Sequence, residues 1–356
     1  LTHQVLYLLE EVYQGIKGVI DGQGFVERKY PVHVLELIKQ GFLVSLKYEE
    51  EKILQEIRDR FSGKPAFGIL YLLLTDLCNL RCRYCYIEGA IPANHKFSLM
   101  DEEIAIAGLN FFANIFSKNP PDREINYPTI LFYGGEPLLN KGVFLASLNE
   151  IARLKRVSKL PSTVSVTLIT NATVIDEEVV SAVVKNNVSV SVSLDGPEEL
   201  HNANRIFADG EGTFEATSKN IKWLQKAGAR VSISCTISQT NVDQLETVLK
   251  WLTSEFQIKG LGFNILLDLP GVIQADAEYV KKASEKIIEC YKIAREKGIY
   301  EERIMRKIGT FVKKSLHLVD CGGCGNQIEI TPDGKIVHCH DYASSKKFFP
   351  GHLNNQ

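Results

Sequence analysis

From residue 68 onward, strand-like and helix-like segments alternate six times along the chain. The strand candidates are short runs rich in β-branched and aromatic residues: Ile69–Thr75, Thr129–Tyr133, Thr163–Asn171, Val188–Asp195, Val231–Ser238 and Gly260–Asp268. Each is followed by a stretch with apolar residues at helical spacing: Asp101–Phe116, Val143–Val157, Asp176–Lys185, Phe214–Ala227, Asp243–Phe256 and Asp276–Lys297. Strict alternation predicts an α/β fold with a parallel sheet and right-handed crossovers. Because six units are two fewer than a closed barrel of roughly eight strands needs, we expect a partial (β/α)6 TIM barrel.

The fourth predicted strand carries polar residues along one of its two faces. Ser189, Ser191, Ser193 and Asp195 alternate with aliphatic residues, so the two sets point to opposite sides of the sheet. A strand buried between helices and a packed interior is expected to be apolar on both faces. The polar face therefore indicates contact with a polar ligand, or else a water-filled barrel interior.

The sequence on either side of the alternating region has a different character. Residues 1–62 predict a small helical or winged-helix-like module, and residues 301–356 are rich in glycine, cysteine and histidine. We therefore expect an N-terminal module over 1–62, a barrel over 63–300 and a C-terminal region over 301–356. Since the chain begins at Leu1 rather than Met, we expect the native N-terminus to be missing, and truncation at the C-terminus is left open.

Charge and hydropathy argue against two classes of partner. The 41 Lys and Arg residues nearly balance 43 Asp and Glu residues, for a net charge of −2, whereas nucleic-acid binders usually carry a basic excess. The longest apolar run, Phe67–Leu74, has eight residues, and a membrane-spanning helix needs ~20. No signal peptide opens the sequence. We expect a cytoplasmic protein without nucleic-acid or membrane partners.

Six of the eight cysteines form two groups of three. The groups are Cys78, Cys82, Cys85 and Cys321, Cys324, Cys339, with Cys235 and Cys290 isolated between them. Secreted disulfide proteins are usually short, whereas clustered thiols in a long chain indicate metal ligands in a reducing compartment. Cys235 and Cys290 lie in a predicted strand and a predicted helix, and we expect both to be buried apolar residues.

The first cysteine group directly follows the first predicted strand. Three thiolates from one loop, Cys78, Cys82 and Cys85, can bind three irons of a cubane cluster and leave the fourth iron without a protein ligand. An open position is typical of a catalytic metal site, whereas structural sites are closed. The alternative is structural zinc, with Cys82 and Cys85 paired with Cys321 and Cys324. Zinc-binding pairs usually lie ~15–20 residues apart, and these pairs are far more distant, with one cysteine of each group unexplained.

The spacing Cys-x3-Cys-x2-Cys, with Tyr84 before the third cysteine, resembles the radical S-adenosylmethionine (SAM) superfamily. The resemblance implies a catalytic 4Fe–4S cluster held by Cys78, Cys82 and Cys85, with Tyr84 beside SAM. It also implies that the amino and carboxylate groups of SAM bind the open iron. The reduced cluster would then cleave SAM to a 5′-deoxyadenosyl radical that removes a substrate hydrogen. A reductant such as flavodoxin or ferredoxin would supply the electron.

Further residues that fit this resemblance follow the second and third strands. Gly134, Gly135 and Glu136 end the second strand. The two glycines allow a close approach to the backbone, and the carboxylate can accept hydrogen bonds from an ammonium group. In the resembled family this segment holds the amino group of SAM. Asn171 closes the third strand and is expected near the same ligand.

Polar residues after the fourth strand complete the predicted SAM site. By the same resemblance, Ser193 and Asp195 are expected to address the ribose hydroxyls of SAM, and Arg205 its carboxylate. Asn202 departs from the family pattern, in which Asp is commoner at this position. These groups follow the carboxyl ends of successive predicted strands, which is where parallel α/β barrels bind their ligands.

The second cysteine group is similar to the first half of the SPASM/twitch pattern of radical SAM proteins, Cys-x9–15-Gly-x4-Cys. By that resemblance, Cys321, Cys324 and Cys339 hold at least one auxiliary 4Fe–4S cluster. Ile328–Thr331 and Lys335–His338 predict a hairpin around an Asp-Gly turn.

Complete SPASM domains carry further cysteines, which do not occur in this sequence up to Gln356. The fourth iron of the auxiliary cluster is then open or bound by a residue beyond Gln356. Other candidate ligands are His338, His340 and Cys290.

Within this subgroup the sequence favours a maturase of ribosomally made peptides, similar to the thioether-forming sactisynthases. The expected substrate is a leader-containing, Cys-rich peptide that is crosslinked through a thioether or carbon–carbon bond, with the N-terminal module contributing to its recognition. Two enzyme alternatives remain: an anaerobic sulfatase-maturating enzyme that forms formylglycine, and a twitch-type dehydrogenase of a small molecule. A non-catalytic iron–sulfur or zinc scaffold is the alternative from another class.

Overall fold

The computed structural model describes residues 67–118, 128–266, 275–312, 322–346 and 349–355, together with residues 54, 55, 58 and 59. The predicted N-terminal module lies almost wholly outside these residues. The chain divides into two compact units, Leu1–Lys64 with Arg306–Asp320, and Pro65–Met305 with Cys321–Gln356. The second unit contains the predicted barrel and is the one considered below.

Parallel strands form the centre of this unit, in the same order in space as in the chain. The strands are β1 (Ile69–Thr75), β2 (Thr129–Gly134), β3 (Ser165–Thr170), β4 (Ser189–Ser193), β5 (Arg230–Ile237), β6 (Gly260–Ile265) and β7 (Tyr300–Glu301). Every neighbouring pair from β1 to β7 is parallel. The predicted partial (β/α)6 barrel is therefore confirmed, with the two-residue strand β7 as an addition.

Helices connect these strands, as the spacing of apolar residues predicts. They are α1 (Tyr86–Ala90), α2 (Glu102–Lys118), α3 (Lys141–Arg156), α4 (Glu177–Lys185), α5 (Glu198–Asn202), α6 (Phe214–Lys226), α7 (Leu245–Phe256), α8 (Ala277–Glu296), α9 (Glu302–Val312) and α10 (His340–Ser345). Asp176 and Asp276 cap α4 and α8 by accepting hydrogen bonds from backbone N–H groups of their first turns. Helices α2, α3, α4, α6, α7 and α8 match the prediction, whereas α1, α5, α9 and α10 were not predicted. In the described part of the chain, no helix is long and apolar enough to span a membrane.

The C-terminal hairpin extends the barrel sheet beyond β1. Strand β8 (Gln327–Ile330) pairs in parallel with β1, so that Glu329 lies opposite Tyr71. Strand β9 (Lys335–Val337) returns antiparallel to β8, and β10 (Gly351–His352) pairs with β9. The hairpin is confirmed, and its turn uses Gly334 with a φ of +78°. The domain boundaries given above remain a prediction, to which the structure adds that β8 joins the sheet of the barrel.

Strand β4 shows which face of the sheet carries the core. Val190 and Val192 are fully buried among the apolar residues of the helices, whereas Ser189, Ser191 and Ser193 on the opposite face are half-buried. The apolar side of β4 therefore packs against the helices, and its polar side faces away from them.

Candidate functional site

The loop that follows β1 carries the first cysteine group and is fixed to the segment after β4. The backbone N–H groups of Arg81 and Arg83 donate to the carbonyl oxygens of Ile206 and Asn204, at 2.8 and 3.0 Å. Cys85 begins α1, and its Sγ accepts a hydrogen bond from the backbone N–H of Glu88. The loop is thus held at the carboxyl ends of the barrel strands.

The three cysteines of this loop are half-buried. Burial raises the pKa of Cys78 to about 12, and it also raises the pKa values of Cys82 and Cys85. The N–H of Cys85 donates to the carbonyl oxygen of Cys82 at 3.0 Å, and the N–H of Leu80 donates to the Sγ of Cys78 at 3.4 Å, so one compact turn carries all three thiols. A bound metal would be needed to ionise such thiols at neutral pH, because coordination deprotonates a thiol. Three clustered thiols from one loop fit a cubane cluster, in which each thiolate binds a different iron.

A single-ion site has a different requirement, because its ligands converge on one point. Within the described ranges, no three His, Cys, Asp or Glu side chains are arranged to hold one metal ion. The zinc site considered as the alternative includes Cys321, which lies outside the described residues.

The glycine pair at the end of β2 packs directly against the cysteine loop. Gly134 has a φ of +131°, and a Cβ atom there would lie 2.1 Å from the carbonyl oxygen of Thr75. At Gly135 a Cβ atom would lie 2.0 Å from the carbonyl oxygen of Leu77. The N–H groups of Gly135 and Glu136 donate to these same two oxygens, at 2.9 and 2.8 Å. Only glycine at these two positions lets the backbone at the end of β2 come this close to the backbone of the cysteine loop. This contact holds the loop at Leu77, one residue before Cys78.

Glu136 ties the end of β2 to the end of β3. Its carboxylate is fully buried, with Oε1 accepting from the hydroxyl of Thr170 at 2.7 Å and from the N–H of Leu138 at 3.1 Å. Oε2 accepts from the N–H of Asn171 at 2.7 Å. Burial raises the pKa of Glu136 to about 7, although these three donors oppose the shift.

Asn171 then extends the connection from β3 to the cysteine loop. Its Nδ2 donates to the Oδ1 of Asn79 at 3.0 Å and lies 4.0 Å from the Sγ of Cys78. The predicted residues Glu136 and Asn171 are thus brought together beside the first cysteine.

Asp195 is the centre of a buried ionic cluster on the other side of the loop. The carboxylate is fully buried, and its Oδ1 accepts a hydrogen bond from the N–H of Thr236 at 2.9 Å. Its Oδ2 accepts hydrogen bonds from the Nε of Arg205 at 3.0 Å and from the hydroxyl of Tyr84. The guanidinium of Arg205 lies 5.3 Å from the ring centre of Tyr84, and its Nη1 lies 4.0 Å from the Sγ of Cys82. Arg205 is thereby held against the cysteine loop by charge, hydrogen bonding and cation–π contact.

The remaining predicted residues near this cluster have simpler positions. Ser193 is half-buried at the end of β4, opposite Ser234 of β5. The Oδ1 of Asn202 accepts from the N–H groups of Thr213 and Phe214, at 2.9 and 3.0 Å, where α6 begins. Asn202 therefore makes the helix-capping contacts that an Asp would also make, so the departure from the family pattern preserves the local structure.

His201 is buried beside Asp195 in its neutral form. Its Nδ1 accepts from the N–H of Asp195 at 3.3 Å, and its Nε2 lies 2.9 Å from the hydroxyl of Thr213. That hydroxyl donates to the carbonyl oxygen of Arg205, so the Nε2–H of His201 must be the donor to it. Protonation of Nδ1 would remove the acceptor of the Asp195 N–H, and burial lowers the pKa of His201 to about 4.

We expect this buried imidazole to make the chain less stable as the pH falls from about 6.5 to about 4. In this range the unfolded chain takes up a proton that the folded chain excludes, which would cost roughly 3 kcal/mol of stability in total. Urea unfolding of the metal-free chain at about pH 7 and about pH 5 measures the loss. The variant His201→Asn keeps an acceptor near the Nδ1 position but cannot titrate, so it should lose less stability over this range. An equal loss in both proteins would contradict the assignment.

The second cysteine group is only partly described. Cys321 lies outside the described residues; Cys324 ends a short 3-10 turn (Gly322–Cys324), and of its side chain nothing is described. Cys339 is half-buried and directly precedes α10. The auxiliary site therefore remains a prediction. Cys235 and Cys290 are both fully buried, as expected.

Two further contributors to the site were not predicted from the sequence. Thr236 donates its N–H to Asp195, and Glu329 of β8 lies fully buried against His340. Glu329 stands between two isoleucines in its strand, and a charged residue within a buried strand is the signal that could have revealed it. Thr236 gives no comparable signal, because threonine is common in strands.

Comparisons with known proteins show the family to which the chain belongs. The family model of the radical SAM superfamily matches residues 72–252, slightly more than half of the chain. The chain is 24% identical over 329 residues to the radical SAM cyclopropyl synthase TigE of Paramaledivibacter caminithermalis, which covers 86% of this chain and 65% of that protein. It is 27% identical over 207 residues to a cysteine-type anaerobic sulfatase-maturating enzyme of Clostridium perfringens, covering 57% of this chain and 53% of that protein.

A solved structure shows the same fold. The structure of native anSMEcpe with bound AdoMet and Cp18Cys peptide superimposes with a TM-score of 0.67 at 22% identity, covering 82% of this chain and 78% of that one. AdoMet is SAM. The family match includes the cysteine loop, the glycine pair, and Asp195 with Arg205, and on this match the chain belongs to the radical SAM superfamily.

Proposed function

We propose that this chain is a radical SAM enzyme that modifies a ribosomally made peptide. Cys78, Cys82 and Cys85 are the ligands of its catalytic 4Fe–4S cluster. With SAM and an electron from a flavodoxin or ferredoxin, this cluster supplies the means to remove a hydrogen atom from the substrate. The observation that carries the proposal is the position of Arg205, which is held by Asp195 and Tyr84 within 4.0 Å of the thiol of Cys82.

The role of Arg205 is to bind the carboxylate of SAM beside the cluster. Arg205 is 8% exposed, so a hydrogen bond between two charged groups there is stronger than one at the surface. Asp195 and Tyr84 fix the guanidinium in advance, which lowers the entropy lost when SAM binds. Arg205 donates its Nε to Asp195, and a planar guanidinium offers further N–H groups to a carboxylate.

The remaining polar groups would orient the other end of SAM. Glu136 accepts three hydrogen bonds within the chain, and a carboxylate has about four acceptor positions, which leaves one for the ammonium group of SAM. Asn171 lies beside Glu136 and the Cys78 thiol. Ser193 lies at the carboxyl end of β4, on the face that would meet the ribose hydroxyls. Asp195 already accepts hydrogen bonds from three donors, so it would bind the ribose only through its remaining acceptor position.

A peptide is the substrate class that the comparisons favour. The similar structure named above holds both AdoMet and a peptide, and a relative is a sulfatase-maturating enzyme. We propose a leader-containing, Cys-rich peptide and a thioether or carbon–carbon crosslink, with an auxiliary cluster on Cys321, Cys324 and Cys339. Formation of formylglycine is the second candidate, favoured by the match to the sulfatase-maturating enzyme.

The proposal is tested by the mass of the peptide after reaction. The chain with reconstituted clusters is incubated with SAM, dithionite and a leader-containing, Cys-rich peptide. A crosslink removes two hydrogen atoms from the peptide, whereas formylglycine formation from Cys replaces its sulfur by oxygen and also removes two hydrogen atoms. The variant Cys78/Cys82/Cys85→Ala is the control and should leave the peptide unchanged. An unmodified peptide in a reaction that does cleave SAM would contradict a substrate of this class.

A further inference from the structure

Two side chains of β8 hold the residues on both sides of Cys339. Nε2 of Gln327 donates to the backbone carbonyl oxygen of His338 at 3.0 Å, and Oε2 of Glu329 lies 2.7 Å from Nδ1 of His340. Gln327 Nε2 also donates to Oε1 of Glu329 at 3.1 Å, so the two side chains brace each other. We call Gln327 and Glu329 the β8 clamp.

The β8 clamp is buried and is part of the sheet. Glu329 is fully buried, and Gln327 is 9% exposed. A buried carboxylate without a hydrogen-bonding partner raises the free energy of the folded chain. The contact with His340 therefore strongly favours one arrangement of the segment that carries Cys339. Both clamp residues lie in fixed register beside β1, opposite Ile69 and Tyr71. Groups on a paired strand hold their positions better than groups on a loop.

The ring of His340 is also fixed by aromatic neighbours. It meets the ring of Tyr71 edge-on at 4.5 Å and lies tilted against Tyr133 at 4.8 Å between centroids. The carbonyl oxygen of Cys339 accepts from the N–H of Ala343 in the first turn of α10, at 3.0 Å. Cys339 therefore directly precedes a restrained residue, His340, at the start of a helix.

The other cysteine-bearing segment of this region touches the same clamp. A Cβ atom placed on Gly322 would lie 2.6 Å from Oε1 of Gln327, so the Gly322–Cys324 turn passes directly over that side chain. Gln327 thus contacts both segments that supply the second cysteine group. This contact is independent of the bond between Glu329 and His340.

We propose that Gln327 and Glu329 are positioning residues for the auxiliary cluster, which set Cys339 and the Gly322–Cys324 turn in place before metal binds. The inference rests on the auxiliary cluster put forward under the proposed function. Residues that orient metal ligands from behind typically change metal affinity by roughly 10–100-fold when they are removed. The β8 clamp acts on the backbone and on the neighbour of a ligand, and we expect an effect at the lower end of that range.

The test measures iron release from the auxiliary site alone. The full chain carrying Cys78/Cys82/Cys85→Ala is reconstituted without oxygen, and the rate of iron transfer to a chelator is recorded together with the electron paramagnetic resonance spectrum of the reduced cluster. Gln327→Ala and Glu329→Ala should each release iron about tenfold faster. Glu329→Gln keeps an acceptor for His340 and should restore most of the slow release. Lys335→Ala, which removes an exposed ion pair with Asp333 from the same hairpin, is the matched control and should have little effect.

A second background separates positioning from general destabilisation. In the chain carrying Cys321/Cys324/Cys339→Ala, iron remains only at the first site, and the clamp variants should not accelerate its release. Unchanged release from the auxiliary site, or equal acceleration at both sites, would overturn the inference. Absence of iron from the Cys78/Cys82/Cys85→Ala chain would instead refute the auxiliary cluster itself, and the inference with it.

Discussion

Replacement of Asp195 by Ala should destabilise the folded chain by about 3–5 kcal/mol, because it leaves a buried charge without its partner. Arg205 is 8% exposed and Asp195 is fully buried, so water cannot replace the lost carboxylate without opening the site. The N–H of Thr236 and the hydroxyl of Tyr84 would lose their acceptor as well. Asp195→Asn keeps an oxygen for Thr236 and should be less damaging.

The loss is measured by urea unfolding of the metal-free protein, with an exposed ion pair as the matched control. Glu255 pairs with Lys222 at the surface, so Glu255→Ala should cost at most about 1 kcal/mol. If Asp195→Ala costs no more than Glu255→Ala, the buried ion pair does not hold this part of the fold together.

The same cluster should determine the affinity for SAM. A hydrogen bond between charged groups contributes ~1.5–3 kcal/mol. Because Asp195→Asn removes the charge that holds Arg205 in place, this variant should bind SAM roughly tenfold or more weakly. Equilibrium binding of SAM to the reconstituted protein measures this. Undiminished affinity would mean that Asp195 stabilises the fold and has no part in SAM binding.

Gly134→Ala is the second substitution for which we expect a large effect. A methyl group there would lie 2.1 Å from the carbonyl oxygen of Thr75, which is backbone within the sheet and cannot rotate away. The φ of +131° is also a conformation that alanine rarely adopts. We expect a loss of roughly 3 kcal/mol or more of stability, together with loss of iron at the first cysteine site, because the loop before Cys78 would be displaced.

Gly142 provides the control for this substitution. It lies in the first turn of α3, and a Cβ atom there meets nothing within 4 Å. Alanine favours a helix over glycine by up to about 1 kcal/mol, so Gly142→Ala should be neutral or stabilising. Thermal unfolding and iron analysis of both variants make the comparison. Normal iron content in Gly134→Ala would show that the glycine contact does not position the cysteine loop.

The barrel could be predicted because each of its elements is specified locally. Strand β1 was predicted with the bounds Ile69–Thr75 that it has in the structure, since an apolar run ends there at a polar loop. The alternation of serine and valine in β4 gave both the strand and the orientation of its faces. Asp176 and Asp276 marked the starts of α4 and α8, because both residues cap helices.

The long-range contacts could not be predicted in the same way. Strand β8 pairs with β1 across about 260 residues of sequence, and a local pattern does not specify a distant partner. For the same reason the sequence suggested Glu136 as an acceptor for SAM, but could not show that Thr170, Asn171 and Leu138 already bind its carboxylate. The resemblance named the residues of the site, and the structure shows what each of them contacts within the chain.

The most direct test of this account is whether the chain cleaves SAM through Cys78, Cys82 and Cys85. The protein with reconstituted clusters is reduced with dithionite without oxygen, SAM is added, and 5′-deoxyadenosine is quantified by chromatography. The wild-type chain should form 5′-deoxyadenosine. The variant Cys78/Cys82/Cys85→Ala should form none while retaining iron at the auxiliary site. Equal amounts of 5′-deoxyadenosine from both proteins would contradict the assignment of these three cysteines as the catalytic cluster ligands.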